Sequence, residues 1–175
     1  MKTKKTLTEN VMRTPVLEKV TLSCGATGND LEKAKKLLEI LSLKKVQIIR
    51  AGSKRRIPDF GVKPNMELGA RVTLRRKEAY ELLRRLLGAI DNTLRKRNIS
   101  ENTFSFGIKE YIEIPGIEYQ REIGIRGLNV TVSFMRRGFR VSRKKIKSGR
   151  LPEKQVIPKQ EIINYLEENF KTKLV

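Results

Sequence analysis

Three separate stretches of this chain alternate apolar and polar residues with a period of two, and this constrains the fold more than any other feature. In 16–24, Val20, Leu22 and Cys24 share one side, while Lys19, Thr21 and Ser23 share the other. In 66–75, Val72 and Leu74 alternate with Arg71, Thr73 and Arg75. In 128–134, Leu128, Val130, Val132 and Phe134 alternate with Asn129, Thr131 and Ser133. Each stretch is a half-buried strand with one face that must be covered. A shorter strand is expected at 46–50. Phe104, Phe106 and Ile108 also alternate, within a less regular region (98–124) read as short strands and loops.

The cover comes from helical periodicity. Leu31, Ala34, Leu38 and Leu41 form one stripe, with Asn29 as the expected N-cap and Glu32 as its capping-box partner. Ala79, Leu82, Leu83, Leu86, Leu87, Ile90 and Leu94 predict a long helix over 77–96. Ile162, Ile163, Leu166 and Phe170 predict a last helix over 158–170. The expected fold is therefore α+β: a mostly antiparallel sheet with helices packed on one face, a long protruding loop and a basic C-terminal extension. The expected organisation is an N-terminal arm at 1–15, a core at 16–135 containing the loop 51–65, and a basic ribbon with a C-terminal helix at 136–175. The arm reads equally as a frayed end or as a segment that orders on RNA.

Charge says what the uncovered face meets. The chain carries 39 lysines and arginines against 19 acids, a net +20. The excess is distributed: eleven basic against five acidic residues in 1–50, thirteen against five in 51–100, eleven against five in 101–150, and four against four thereafter. A folded body so charged repels itself unless a polyanion neutralises it. At 38% hydrophobic, the chain can build a core and is not a disordered basic protein.

Catalytic classes are excluded residue by residue. There is no histidine and one cysteine, Cys24, so a disulfide, the usual zinc, copper and haem ligands, and the usual base for a serine or cysteine nucleophile are all missing. No metal and no cofactor is expected. Gly25-Ala26-Thr27-Gly28 lies between a strand and a helix, as a phosphate loop would, but lacks the Gly-Lys-Ser/Thr that follows in such loops and reads as a turn. Glu110 with Glu113, and Glu167 with Glu168, read as surface charge. No apolar run spans a bilayer and no signal core is present, so an intracellular protein without membrane contact is expected.

The polar sides of the strands then become the candidate site. Thr21, Ser23, Thr73, Asn129, Thr131 and Ser133, with Arg71 and Arg75, make a hydroxyl and amide floor rimmed by guanidinium if the strands are neighbours. Such a floor suits phosphates, ribose hydroxyls and base edges. It lacks the stacking aromatics of single-strand readers, which favours structured RNA. Residues 51–65, AGSKRRIPDFGVKPN, form a long connection of the kind that is usually functional. Doubled back, its tip would reach about 20–25 Å. Lys54, Arg55 and Arg56 make a cationic cluster there, with Phe60 either stacking on a base or anchoring the loop. Arg136, Arg137, Arg140, Arg143, Lys144, Lys145, Lys147 and Arg150 form the densest basic stretch, read as an ordered strand or an extended tail. A small RNA-modifying enzyme and a nonspecific DNA-compacting protein are the competing classes.

The order of motifs resembles the universal large-subunit ribosomal protein five family over nearly the whole chain. The marks are Asn10-Val11-Met12-Arg13, LEKVTLSCGATG at 17–28, the 51–65 loop, GARVTLR at 69–75, FSFGIKEYIEIPGIEY at 104–119 and IGIRGLNVTVSF at 123–134. The resemblance implies a ribosome-bound, cytoplasmic, non-enzymatic protein of the central protuberance that binds 5S rRNA and large-subunit rRNA. It implies 5S contacts at Ser23, Lys44, Phe60, Thr73, Ile125, Gly127, Leu128 and Asn129. Arg71, Arg75 and Thr131 join them from the sheet reading, and Arg13 and the ribbon cations are expected on other rRNA. It further implies a tRNA-contacting loop at Lys54, Arg55 and Arg56 that reaches the peptidyl-site tRNA. Residues 110–122 are implied to approach small-subunit ribosomal protein thirteen across an intersubunit bridge. Ser23, Lys44 and Asn129 depart from the asparagine, glutamine and aspartate common in bacterial members, and the chain beyond Met135 resembles the archaeal and eukaryotic branch.

Overall fold

The computed structural model describes residues 11–54 and 56–175. Arg55 and residues 1–10 of the arm lie outside them. In chain order the elements are β1 (Val16–Gly25), α1 (Asn29–Ser42), β2 (Gln47–Arg50), β3 (Glu67–Arg75), α2 (Arg76–Gly88), β4 (Thr93–Leu94), β5 (Ile99–Ser100), β6 (Thr103–Ile108), β7 (Leu128–Met135), α3 (Arg140–Arg143), α4 (Lys159–Phe170) and β8 (Lys173–Leu174). Six strands form one antiparallel sheet in the order β2-β3-β1-β7-β6-β5. The short β4 and β8 pair in parallel beside it.

The inward residues of the sheet are buried, and they share one core with the apolar stripes of α1, α2 and α4. Leu37 joins the α1 stripe read from the sequence. The last helix is locked by aromatic contacts: Phe134 meets Tyr165 edge-on at 5.2 Å, and Phe170 lies 4.8 Å from Tyr80 of α2. The α+β architecture with helices on one face is as expected, because every period-two stretch needed such a cover.

Two element boundaries differ from the reading. Helix α1 begins at Asn29 itself. Its N-cap is Gly28, at φ 60°, and no side chain caps it. The left-handed turn there favours glycine, so the capping box at Asn29 and Glu32 does not form. Helix α2 stops at Gly88, short of 96. Asp91 and Asn92 take left-handed conformations, and the Asn92 amide donates back to the Leu87 carbonyl at 2.9 Å. Leu94 is still buried, but from strand β4; an apolar residue at helical spacing imitates another turn of helix.

The basic stretch 136–150 is neither a strand nor an extended tail. It folds into the short α3 and a turn closed by the Gly149 amide donating to the Val141 carbonyl at 3.0 Å. The 51–65 connection does double back, with Ile57 and Val62 exchanging backbone hydrogen bonds at 3.1 and 3.0 Å. Residues 109–127 leave the sheet as an irregular excursion pinned from within. The Tyr111 side chain is fully buried, and its hydroxyl accepts from the Gln120 amide at 2.9 Å.

Candidate nucleic-acid interface

Antiparallel register converts the outward residues of these strands into rows, because directly opposed residues share a face. The first row runs Gln47, Arg71, Ser23, Asn129, Gly107 across five strands. The second runs Thr73, Thr21, Thr131, Ser105, and the third Arg75, Lys19, Ser133, Thr103. The result is a grid of small hydroxyl and amide groups with guanidinium on the β3 side and no aromatic ring. Ser23, Arg71, Thr73, Arg75, Asn129 and Thr131 are thus brought together, as the alternation required.

The guanidinium rim is held in place. The Arg71 Nε donates to Gln47 Oε1 at 3.1 Å. Arg75 sits 3.3 Å from the carboxylate of Glu18, whose side chain is only 5% exposed and also receives Arg143 at 2.6 Å. Glu18 occupies a bulge between Leu17 and Lys19, an extra residue that the β7 ladder leaves unpaired. This single carboxylate ties the β3 rim and the α3 turn to β1. The Arg143 guanidinium also covers the Phe139 ring at 4.7 Å.

Other residues singled out from the sequence lie apart from the grid. Leu128 is a correction: it is 3% exposed and belongs to the core, since its parity matches Val130 and Val132. Gly127 is a packing requirement, because a Cβ there would meet the Lys109 and Ile108 carbonyl oxygens at 2.7 and 2.8 Å. Ile125 is 68% exposed just before β7. Lys44 pairs with Glu78 of α2 at the α1–β2 connection. Phe60 is 81% exposed, so it does not anchor the loop to the body. Lys54 and Arg56 are exposed beside it, and Arg13 is exposed at the other end of the chain.

Arg136 is the second correction. It is buried, donating to the Lys154 carbonyl at 2.7 Å and to both Glu161 oxygens at 2.6 and 2.8 Å. It docks α4 and is closed to RNA. Arg137, Arg140, Lys144 and Lys145 remain exposed and form no ion pair among the described residues.

The 109–127 excursion is stapled to α1 by two ion pairs, Lys36 with Glu122 at 2.8 Å and Asp30 with Arg126 at 2.7 Å. The hydrogen bond and charge of Lys36 hold the Glu122 carboxyl below its ordinary range, and Glu122 raises Lys36 in return. Sequence reasoning misses Gln47, Thr103, Ser105, Gly107 and the nearby Asn98. The alternation of Phe104, Phe106 and Ile108 is visible, but nothing local says that β6 lies beside β7. Among the described residues no cluster of three or more His, Cys, Asp or Glu is placed to hold a metal, and no helix is long and apolar enough to cross a membrane.

A flat, polar, cation-rimmed sheet backed by hydrophobic helices defines an RNA-binding protein rather than an enzyme. Residues 67–162 match the C-terminal family model of ribosomal protein uL5. The chain is 39% identical over 175 residues to the large ribosomal subunit protein uL5 of Sulfurisphaera tokodaii, covering 97% of each. It is 38% identical to the protein of the same name from Archaeoglobus fulgidus (94% of this chain, 92% of the relative) and 37% identical to that of Sulfolobus acidocaldarius (93% and 92%). The chain belongs to the uL5 family of structural, non-enzymatic ribosomal proteins, in its archaeal type.

Proposed function

We propose that this chain is a structural constituent of the large ribosomal subunit that seats 5S rRNA on the polar rows of its sheet and meets large-subunit rRNA through the α3 turn, within the central protuberance of cytoplasmic ribosomes. The observation that carries this reading is the grid itself. Three consecutive rows present hydroxyl and amide groups on one continuous face, inside a chain of net +20. Hydroxyls and amides match ribose and phosphate oxygens, while the guanidinium rim of Arg71 and Arg75 supplies charge at the border. Lys54, Arg55 and Arg56 on the doubled-back loop reach peptidyl-site tRNA, with the exposed Phe60 beside them. The excursion 110–122 faces small-subunit ribosomal protein thirteen. Its Glu110, Glu113, Glu118 and Glu122 give it an acidic character unlike the basic chain around it, which favours a basic protein over RNA.

The test is recovery of RNA with the tagged chain from cells, followed by binding to purified RNAs at fixed salt. Enrichment of 5S rRNA, bound more tightly than random duplex DNA of equal length, is the expected result. Equal affinity for both polyanions would reduce the protein to a nonspecific cation.

A further inference from the structure

The grid is not uniformly flat. At its β6 side lies a hollow of about 450 Å³, floored by Ser23, Ser105, Gly107, Asn129 and Thr131 and flanked by Asn98. We infer that this hollow receives one unpaired nucleotide turned out of the RNA, an inference that rests on the reading of the sheet as the rRNA face and adds a base-recognition site to it.

Four observations carry it. The depression follows from side-chain size along one row: Ser23, Asn129 and Gly107 lie side by side, and Gly107 contributes no side chain where a Cβ would already stand 3.4 Å from Asn129 Oδ1. The volume falls within the roughly 300–1,000 Å³ of small-molecule sites, so a base with its ribose fits, whereas a duplex laid across a sheet would not enter a pit. The lining holds no ionisable side chain, which disfavours a phosphate as the occupant. Finally, Ser23, Asn98, Ser105, Asn129 and Thr131 make no side-chain hydrogen bond among the described residues, so two carboxamides and three hydroxyls stand ready for a ligand. Carboxamides pair two-pronged with base edges, adenine above all, and extruded bases are the usual targets of sequence reading in RNA. Asn98 follows Arg95, Lys96 and Arg97, all exposed, which offer charge for the flanking phosphates. With no aromatic ring on the rows, recognition here proceeds by edge hydrogen bonds rather than by stacking.

The experiment uses the full chain with transcribed 5S rRNA, and two variants, Asn98→Ala and Gly107→Val, each checked for an unchanged melting temperature. Base-specific chemical probing should show one unpaired nucleotide protected by the wild-type chain at its base edge. Asn98→Ala should expose that base and weaken binding roughly tenfold, while protection of the surrounding riboses and phosphates persists. Gly107→Val should do the same by filling the pit; if it fails to fold, Asn98→Ala decides. Unchanged affinity and unchanged base protection in Asn98→Ala, or a wild-type footprint confined to riboses and phosphates, would overturn the inference while leaving the sheet as the RNA face. Failure of the wild-type chain to bind 5S rRNA at all would instead remove the parent reading, and this site with it.

Discussion

Replacing Thr73 by valine removes one hydroxyl from the middle row and almost nothing else. The side chain is exposed, and its nearest hydroxyl partner, Thr21, stands 3.5 Å away, at the limit of a hydrogen bond. Valine has the same shape and suits a strand, so the fold should change by less than about 0.5 kcal/mol. If Thr73 meets a ribose or phosphate oxygen, the lost hydrogen bond is about 1 kcal/mol, or roughly fivefold in affinity. Arg71→Gln is the companion variant. It should weaken binding more, and it should also lower the slope of log affinity against log salt by about 0.7–0.9, the signature of one lost phosphate contact. Thr73→Val should leave that slope unchanged, because no ion is displaced by a neutral hydroxyl. Filter binding of 5S rRNA across a salt series, with thermal melts of both proteins, separates the two effects. Wild-type affinity in Thr73→Val at matched salt would take the row out of the interface. A fall in melting temperature matching the loss of affinity would make Thr73 structural instead.

Neutralising Lys54, Arg55 and Arg56 together should weaken tRNA contact in ribosome footprints and leave 5S rRNA affinity within about twofold, since none of the three lies on the grid; equal loss of both would refute that division. Arg136→Met should destabilise the fold by about 2 kcal/mol in chemical denaturation, at the lower end for a broken buried pair because Glu161 is partly exposed, with RNA affinity per folded molecule unchanged. Burial pushes the Tyr165 phenol above its ordinary value, with Tyr80 adding to the rise. A group raised on folding stabilises the native state below its unfolded pKa, near 10, and loses that contribution as pH climbs through the higher folded value. Melting temperatures between about pH 9 and 11 should therefore fall more steeply for the wild type than for Tyr165→Phe; parallel curves would show that the phenol titrates as if exposed.

Much of this molecule is legible in local pattern. The period-two stretches name the inward and outward residues of β1, β3 and β7 correctly, because burial on one side of a strand leaves an unmistakable alternation. What stays hidden depends on distant neighbours. Leu128 lies in a motif that looks functional throughout, yet its parity with Val130 sends it to the core. Arg136 opens a run of cations, yet its position beside Glu161 of α4, twenty-five residues away, makes it a buried strut. The Glu18 carboxylate, which anchors two arginines, has no signal beyond an acid at an inward-parity position next to a bulge. The hollow by Gly107 exists only because β6 joins β7, a pairing that no stretch of the sequence states by itself.

The central claim is that RNA lies on the outward rows and not on the helices behind them. A photoreactive residue placed at Thr131, on the middle row, tests this against the same residue at Lys33, on the exposed side of α1. After irradiation of assembled large subunits, the account predicts a crosslink to 5S rRNA from position 131 and none from position 33. Crosslinks from position 33 alone, or from position 131 only to another polypeptide, would contradict it.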